Sequence, residues 1–199
     1  MNFNHIGVLG ATRSGKTYFS DKKIHRAFKG PSIFCHFHDP QTTISGAQAD
    51  KNDSVEVLRA GILIKKAKIN YELSSNPAQA LKEIGLIYHY AKKFNTWVQI
   101  IIDEAHRLIP EGGKQNIIDD AIRDGLKHKV RIVLISQSPA DIRKKSLKQV
   151  DTLYIFRLNV WEDSYLKDKG MDPQEVKKLT SVKYSWAKIE AGNIEQNTL

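Results

Sequence analysis

The octapeptide "GATRSGKT", Gly10 to Thr17, constrains this chain more than any other stretch. Its spacing, G-x-x-x-x-G-K-[ST], is that of loops that wrap a phosphate. The glycines let the backbone curl until successive N–H groups point inward at anionic oxygens. Such a loop needs a strand before it and a helix after it, whose positive N-terminal end faces the anion. The flanking sequence supplies both. "HIGVLG" predicts a short buried strand. "YFSDKKIHRAFKGP" sets Phe19, Ile24, Ala27 and Phe28 roughly at helical spacing before Gly30-Pro31 ends the helix. Gly10, Ala11, Thr12, Arg13, Ser14, Gly15, Lys16 and Thr17 are therefore candidate ligands of a nucleoside triphosphate, with ATP as the default. Lys16 would reach the β and γ phosphates, and the Thr17 hydroxyl would hold Mg²⁺.

The rest of the chain alternates in the same way. "SIFCHFHDP", "AKINYEL", "WVQIIIDE", "VRIVLIS" and "TLYIFRL" read as strands. "YSWAKIEAG" alternates as a last strand on the edge side. "NPAQALKEIGLIYHYAKKF" is the clearest helix, with Asn76 as N-cap and Pro77 in the first turn. "QNIIDDAIRDGLKH", "VWEDSYLKDKG" and "DPQEVKKLT" predict further helices. Residues 41–53 are polar and predict a loop. "SVEVLRAGILIKKA" fits a helix or a strand equally. Most of the strands are continuous apolar runs, the mark of a parallel sheet covered on both faces. The expectation is one α/β domain over residues 1–199, a P-loop NTPase with a mainly parallel central sheet, and a loose tail over residues 191–199.

A phosphate loop that hydrolyses its nucleotide needs a second element. It is an apolar strand ending in an acid for the metal, plus a base for the attacking water. "WVQIIIDEAH" supplies both: Asp103 for Mg²⁺ and Glu104 for the water. An Asp-Glu pair favours water activation over transfer to a bound acceptor. A third apolar strand, in "VLISQSP", ends at Gln137, whose amide could sense the γ phosphate or orient water. His106 of "DEAH" reads as a local packing or hydrogen-bonding residue.

The formal net charge is +9, from 31 Lys and Arg against 22 Asp and Glu. Such an excess suits nucleic acid or an anionic membrane, and equally a surface of solvated lysines. No apolar stretch is long enough to span a bilayer. One cysteine, Cys35, makes no internal disulfide framework and points to a reducing compartment.

These segments together resemble the HerA/FtsK superfamily of P-loop ATPases, RecA/ASCE-like ring motors that include DNA translocases and viral packaging ATPases. The resemblance runs from "HIGVLGATRSGKT" to "YSWAKIEAG". It is carried by the phosphate loop, "FHDP", "IIIDEAHRLIP", "RIVLISQSPADI" and "VDTLYIFRL". It implies that Asp39 is an acid beside the nucleotide, that Gln137 is the sensor, and that Arg157 faces the site or a neighbouring subunit. Two departures stand out. The family often has Gly-Arg-Lys before the sensor strand, where this chain has Gly125-Leu126-Lys127. It often has Ser-Gln-Arg-Pro, where this chain has Ser136-Gln137-Ser138-Pro139. An arginine finger must then come from elsewhere, with Arg123 first, Arg157 second and Lys127 a weaker substitute.

For a chain of this size, the resemblance is to the small genome-packaging ATPases of tailless icosahedral viruses. It implies a pentameric or hexameric homo-oligomeric ring and a capsid or portal partner. It also implies a place in the host cytoplasm or on the virion, and no membrane span. Double-stranded DNA would be gripped through its phosphates, with Arg143, Lys144, Lys145 and Lys148, or Lys127, Lys129 and Arg131, as the basic candidates. Three other readings stay open: a virion-extrusion ATPase of the zonular-occludens-toxin type, a HerA-like DNA-processing translocase of a mobile element, and a regulatory nucleotide-binding module that switches state without moving a polymer.

Overall fold

A computed structural model describes residues 3–37, 44–50, 67–94, 96–158, 163–168, 171–182, 184–190 and 193–198. Asp39 and residues 54–66 of the ambiguous segment lie outside the described residues.

The strands are β1 (Ile6–Leu9), β2 (Ser32–Phe37), β3 (Ala47–Asp50), β4 (Lys68–Leu73), β5 (Val98–Ile102), β6 (Val130–Ser136), β7 (Thr152–Ile155), β8 (Ser185–Glu190) and β9 (Asn193–Thr198). They form one sheet in the order β3-β4-β2-β5-β6-β1-β7-β8-β9. The pairings from β3 through β7 are all parallel, and those of β8 and β9 are antiparallel. The mainly parallel sheet expected from the apolar runs is therefore present. Helices α1 (Lys16–Phe19), α2 (Pro77–Lys92), α3 (Ile117–Asp124), α4 (Lys144–Lys148), α5 (Asp163–Asp168) and α6 (Pro173–Leu179) flank it.

Why the strands are continuous apolar runs is visible in their alternation. Ile6 and Val8 of β1, Ile101 of β5, and Val133 and Ile135 of β6 point to one face, where they pack with Phe19, Ile24 and Phe156. Ile100, Ile102, Ile132 and Leu134 point to the other, among Ile84, Ile87, Leu108, Ile118 and Ile122. Both faces are buried, so the central strands are mostly apolar at both parities, and the polar residues near their starts, Gln99 and Arg131, are hydrogen-bonded to each other.

Three local differences from the sequence reading have physical causes. The loop expected over residues 41–53 contains β3, a polar edge strand held by β4, with Asn70 Nδ2 donating to Gln48 Oε1 at 2.8 Å. The tail expected to be loose pairs as β9 along the whole of β8, so β8 is not the edge. The helix after the phosphate loop changes type. After four α-helical residues, Ser20–His25 forms a π-helical turn, closed by Arg26 N–H donating to Asp21 O at 2.9 Å.

That turn buries His25. Its Nε2 meets Ser45 O at 2.9 Å, so Nδ1 accepts from Ser32 Oγ at 2.8 Å, and Ser32 in turn accepts from Gln99 Nε2. Burial, chiefly, holds the imidazole pKa down at about 4.

On the other side of the sheet, Asn116 and Asp119 form a capping box that starts α3. The Asp119 carboxylate, nearly buried, also accepts from Arg143 and from Ser146 Oγ. Arg143 N–H donates to Ile109 O, Glu111 N–H to Asp141 O and Lys144 N–H to Glu111 Oε2, each at 3.0 Å. The segments that follow β5 and β6 are thereby laced together.

The buried network around His25 makes its protonation destabilising. The folded pKa lies below the ordinary 6.5, so the stability His25 contributes is present above pH 6.5 and lost as pH falls towards 4. The stability gap between wild type and His25→Gln, measured by urea denaturation, should narrow from pH 7 to pH 4.5; a constant gap contradicts it. Asp119→Ala strands the Arg143 charge and should cost about 3–5 kcal/mol in the same assay. A loss below about 1 kcal/mol, as for a surface pair, would show the lacing to be unimportant.

Candidate active site

Parallel strands with one polarity bring their carboxyl ends together, and the candidate residues follow those ends. Leu9 of β1 is level with Ser136 of β6 and with Ile155 of β7. Ile102 of β5 is level with Leu134. The phosphate loop, Asp103-Glu104, Gln137 and Arg157 thus leave the sheet side by side. They do so around the crevice where open α/β sheets bind ligands.

The loop is tied to both neighbours. Gly10 N–H donates to Ser136 O at 3.2 Å, and Ala11 N–H donates to Arg157 O at 2.7 Å. Gly10 is required by close approach: a Cβ there would lie 2.6 Å from Phe156 Cβ. Gly15 sits at φ 97°, in the left-handed region, and opens α1. Lys16 folds back over the loop, and its Nζ donates to Ala11 O at 3.0 Å. The ammonium is almost buried. Burial lowers its pKa from the ordinary lysine range, and the Asp103 and Glu104 carboxylates oppose that shift. Ser14 Oγ is buried and has no hydrogen-bond partner among the described residues. Arg13 takes a left-handed backbone, φ 61°.

The polar residues form a chain across the crevice. Thr12 Oγ1 donates to Gln137 Oε1 at 2.7 Å. Gln137 Nε2 donates to Glu104 Oε1 at 3.0 Å. The other Glu104 oxygen lies 3.3 Å from His106 Nδ1, which is also 3.3 Å from Ser136 Oγ. Ser136 Oγ itself donates to Ser138 O, so it accepts from the imidazole, and the Nδ1–H tautomer follows. Glu104 adopts φ 50°, ψ 44°, a left-handed conformation costly for a non-glycine residue. Asp103 Oδ1 accepts from the Glu104 N–H at 2.9 Å, while the Asp103 N–H is anchored to Cys35 O at 2.9 Å. Burial pushes the Cys35 thiol well up, so this cysteine is inert.

Among the described residues, Thr17 in the first turn of α1 and Asp103 directly after β5 are the hydroxyl and the carboxylate that would be offered to a divalent cation at the loop. Asp103 is near enough to perturb the loop lysine. One hydroxyl and one carboxylate, completed by water and phosphate oxygens, suit Mg²⁺, which keeps several waters and takes few protein ligands. Among the described residues no group of three or more His, Cys, Asp or Glu side chains could form an all-protein cage. The donor set fits Mg²⁺.

A pocket of about 870 Å³ opens beside the loop. Arg13, Ser14, Gly15 and Arg157 line one wall, and residues before and at the start of β8 line the other. Arg157 is exposed there. Arg123 is not brought to this cluster. Its guanidinium pairs with Asp120 at 2.7 Å and Asp124 at 3.3 Å on its own helix. Gly125, just beyond, packs on Val130 O at the start of β6, at the opposite end of the sheet. Lys127 is exposed and pairs with Asp124 at 3.4 Å. Two of the basic DNA candidates turn inward: Arg143 to Asp119, and Arg131 beneath Phe28, where burial holds its pKa down at about 10.

Sequence reasoning did not name Thr12 as the partner of Gln137. It noted His106 but gave it no role at Glu104. The far wall of the pocket carried no signal, because it reaches the loop only by β8 folding back beside β7.

No protein-family model matches the chain, and no curated protein matches it. Solved structures do. The genome packaging NTPase B204 from Sulfolobus turreted icosahedral virus 2, in complex with AMP, aligns over all of both chains with TM-score 0.78 at 17% identity. The DNA-packaging ATPase from Sulfolobus turreted icosahedral virus aligns over all of both chains at TM-score 0.75 and 17% identity. VirB4 of Thermoanaerobacter pseudethanolicus aligns with TM-score 0.71 at 7% identity, over 98% of this chain and 88% of that one. The motifs and the architecture point the same way: the chain has the P-loop NTPase fold and resembles the small genome-packaging ATPases.

Proposed function

We propose that this chain is an ATPase that drives double-stranded DNA into a viral capsid, working as a homo-oligomeric ring. The observation that carries the reading is the chain from Thr12 through Gln137 to Glu104, set beside the nearly buried Lys16. A phosphate sensor and a water-activating carboxylate are already hydrogen-bonded to each other and to the phosphate loop. The packaging ATPases of similar fold support the same reading.

The residues divide the work. The loop amides and Lys16 hold the triphosphate. Lys16 gives up Ala11 O and turns to the phosphate oxygens, which compensate its buried charge better than one carbonyl. Glu104 accepts the proton of the attacking water. The water oxygen bonds to the γ phosphorus, and the bond from that phosphorus to the β–γ bridging oxygen breaks, giving ADP and phosphate. Gln137, between Thr12 and Glu104, responds to the γ phosphate. Thr17 and Asp103 would hold Mg²⁺, which neutralises charge building on the phosphate oxygens. Asp39 is proposed as a further acid beside the nucleotide.

Two arginines remain candidates for stabilising the transition-state charge. Arg157 flanks the loop of its own chain, with its carbonyl tied to Ala11. Arg123 would have to come from a neighbouring copy and exchange Asp120 and Asp124 for phosphate. The neighbour's Arg123 fits that role only if the ring brings one subunit's strand-start end against another's loop.

DNA contact is proposed for the exposed lysines of α4, Lys144, Lys145 and Lys148, on the segment that follows the sensor. Among the described residues no helix is long and apolar enough to cross a membrane.

Glu104→Gln should lower the ATPase rate at least about a hundredfold, since a positioned general base contributes about 10²–10⁴. ATP affinity should stay within a fewfold. Normal turnover in Glu104→Gln would reassign the water-activating residue. Double-stranded DNA of any sequence should stimulate the wild-type rate, with the logarithm of its apparent affinity falling linearly against log salt. Lys145→Ala with Lys148→Ala should reduce that salt slope by about one unit for each DNA phosphate no longer neutralised. A rate indifferent to DNA would sink the translocase reading.

A further inference from the structure

A buried acceptor without a donor is costly, so each one asks for a reason. His36, the penultimate residue of β2, carries one, and its side chain is nearly buried, at 8% exposure. Its Nδ1 lies 2.9 Å from Phe37 O. A carbonyl only accepts, so Nδ1 carries the proton and Nε2 presents a lone pair. That Nε2 is buried and has no hydrogen-bond partner among the described residues.

The sheet shows where the lone pair sits. β2 and β5 are parallel neighbours, with Phe34 level with Ile101 and Cys35 level with Ile102. Asp103 N–H carries the ladder on to Cys35 O at 2.9 Å. His36 therefore comes level with Asp103, across a strand spacing of about 4.8 Å. Phe34 and Ile101 point to the face that α1 covers, where they pack with Phe19 of that helix. Cys35 and Ile102 point to the opposite face. By alternation His36 and Asp103 share the α1 face. Thr17 belongs to the same helix.

We infer that His36 is a positioning residue of the cation site, its Nε2 accepting a hydrogen bond from a water held on the cation beside Asp103. The inference rests on the proposed reading of Thr17 and Asp103 as donors to Mg²⁺. Mg²⁺ keeps several of its waters, and each of them has protons to donate. Phosphate oxygens can accept from the loop side. His36 adds an acceptor from β2, on the far side of β5 from the loop strand. Outer partners of this kind hold the shell in one orientation and are worth about 10–100-fold in metal affinity. His36 acts only through the cation and its water.

The test is the binding of a non-hydrolysable ATP analogue in excess Mg²⁺ and in excess EDTA. The ratio of the two affinities measures the coupling between cation and nucleotide. His36→Phe and His36→Leu fill the space and accept nothing. In both, the ratio should fall by at least about tenfold while the EDTA affinity stays at the wild-type value, which certifies the fold. His36→Gln, whose Oε1 can stand where Nε2 stood, should keep most of the ratio. Adding His36→Phe to Asp103→Asn should cost nothing further, since both act through one cation. An unchanged ratio in His36→Phe and His36→Leu overturns the inference, as does an equal loss with and without Mg²⁺ in both. A loss in His36→Gln as deep as in His36→Phe, or a further tenfold loss on top of Asp103→Asn, overturns it too. Wild-type affinity indifferent to Mg²⁺ removes the cation reading along with it and leaves the phosphate loop standing. No binding under either condition overturns the phosphate-site reading itself.

Discussion

The two hydrogen bonds that leave the start of the phosphate loop organise everything else at the site. Gly10 N–H reaches Ser136 O and Ala11 N–H reaches Arg157 O, so the loop is hung between the ends of β6 and β7. This is possible only because β1 is a central strand with a parallel neighbour on each side. A short strand of four residues would be a weak support alone. Paired on both edges and buried on both faces, it gives the loop a rigid base. Gly10 then has no room for a side chain, because Phe156 comes up against it.

That support carries a local electrostatic strain. Lys16 is held nearly out of water, with a carbonyl as its direct partner and two carboxylates near enough to oppose the loss of its charge. Glu104 is held in a left-handed conformation, with one carboxylate oxygen on Gln137 and the other beside His106. Each group has a partner, yet neither partner is as good as the one an anionic ligand and its water would provide. On the proposed reading, preorganisation of this kind would lower the cost of assembling the transition state, since the dipoles are aimed before the substrate arrives.

Much of this was legible in the sequence. The parallel core could be read from apolar runs such as "WVQIIID", because a strand buried on both faces is mostly apolar at both parities. The loop, Asp103, Glu104 and Gln137 could be read because each sits directly after such a run, and parallel strands collect their ends. What was hidden depends on contacts between segments far apart in the chain. β3 is too polar to announce itself and exists only through β4. β9 pairs with β8 along a hairpin whose residues look like a frayed tail. Arg143 and Arg131 read as surface charge, since no local pattern shows that Asp119 and the Phe28 ring draw them in. Arg123 stood one helical turn from the expected cation, yet the direction of α3 carries it to the far end of the sheet.

The π-helical turn after the loop has a further consequence. Phe19 and Ile24 are five residues apart, and both are buried on the same face of the sheet. In a helix of 3.6 residues per turn that spacing would swing the second side chain well away from the first. The widened turn absorbs one surplus residue and restores the alignment. The segment therefore works as a vernier: it lets the angle at which the chain leaves the phosphate loop be set independently of the angle at which it lands on the sheet. Homologues could shorten Ser20–His25 by one residue only by giving up one of those two settings.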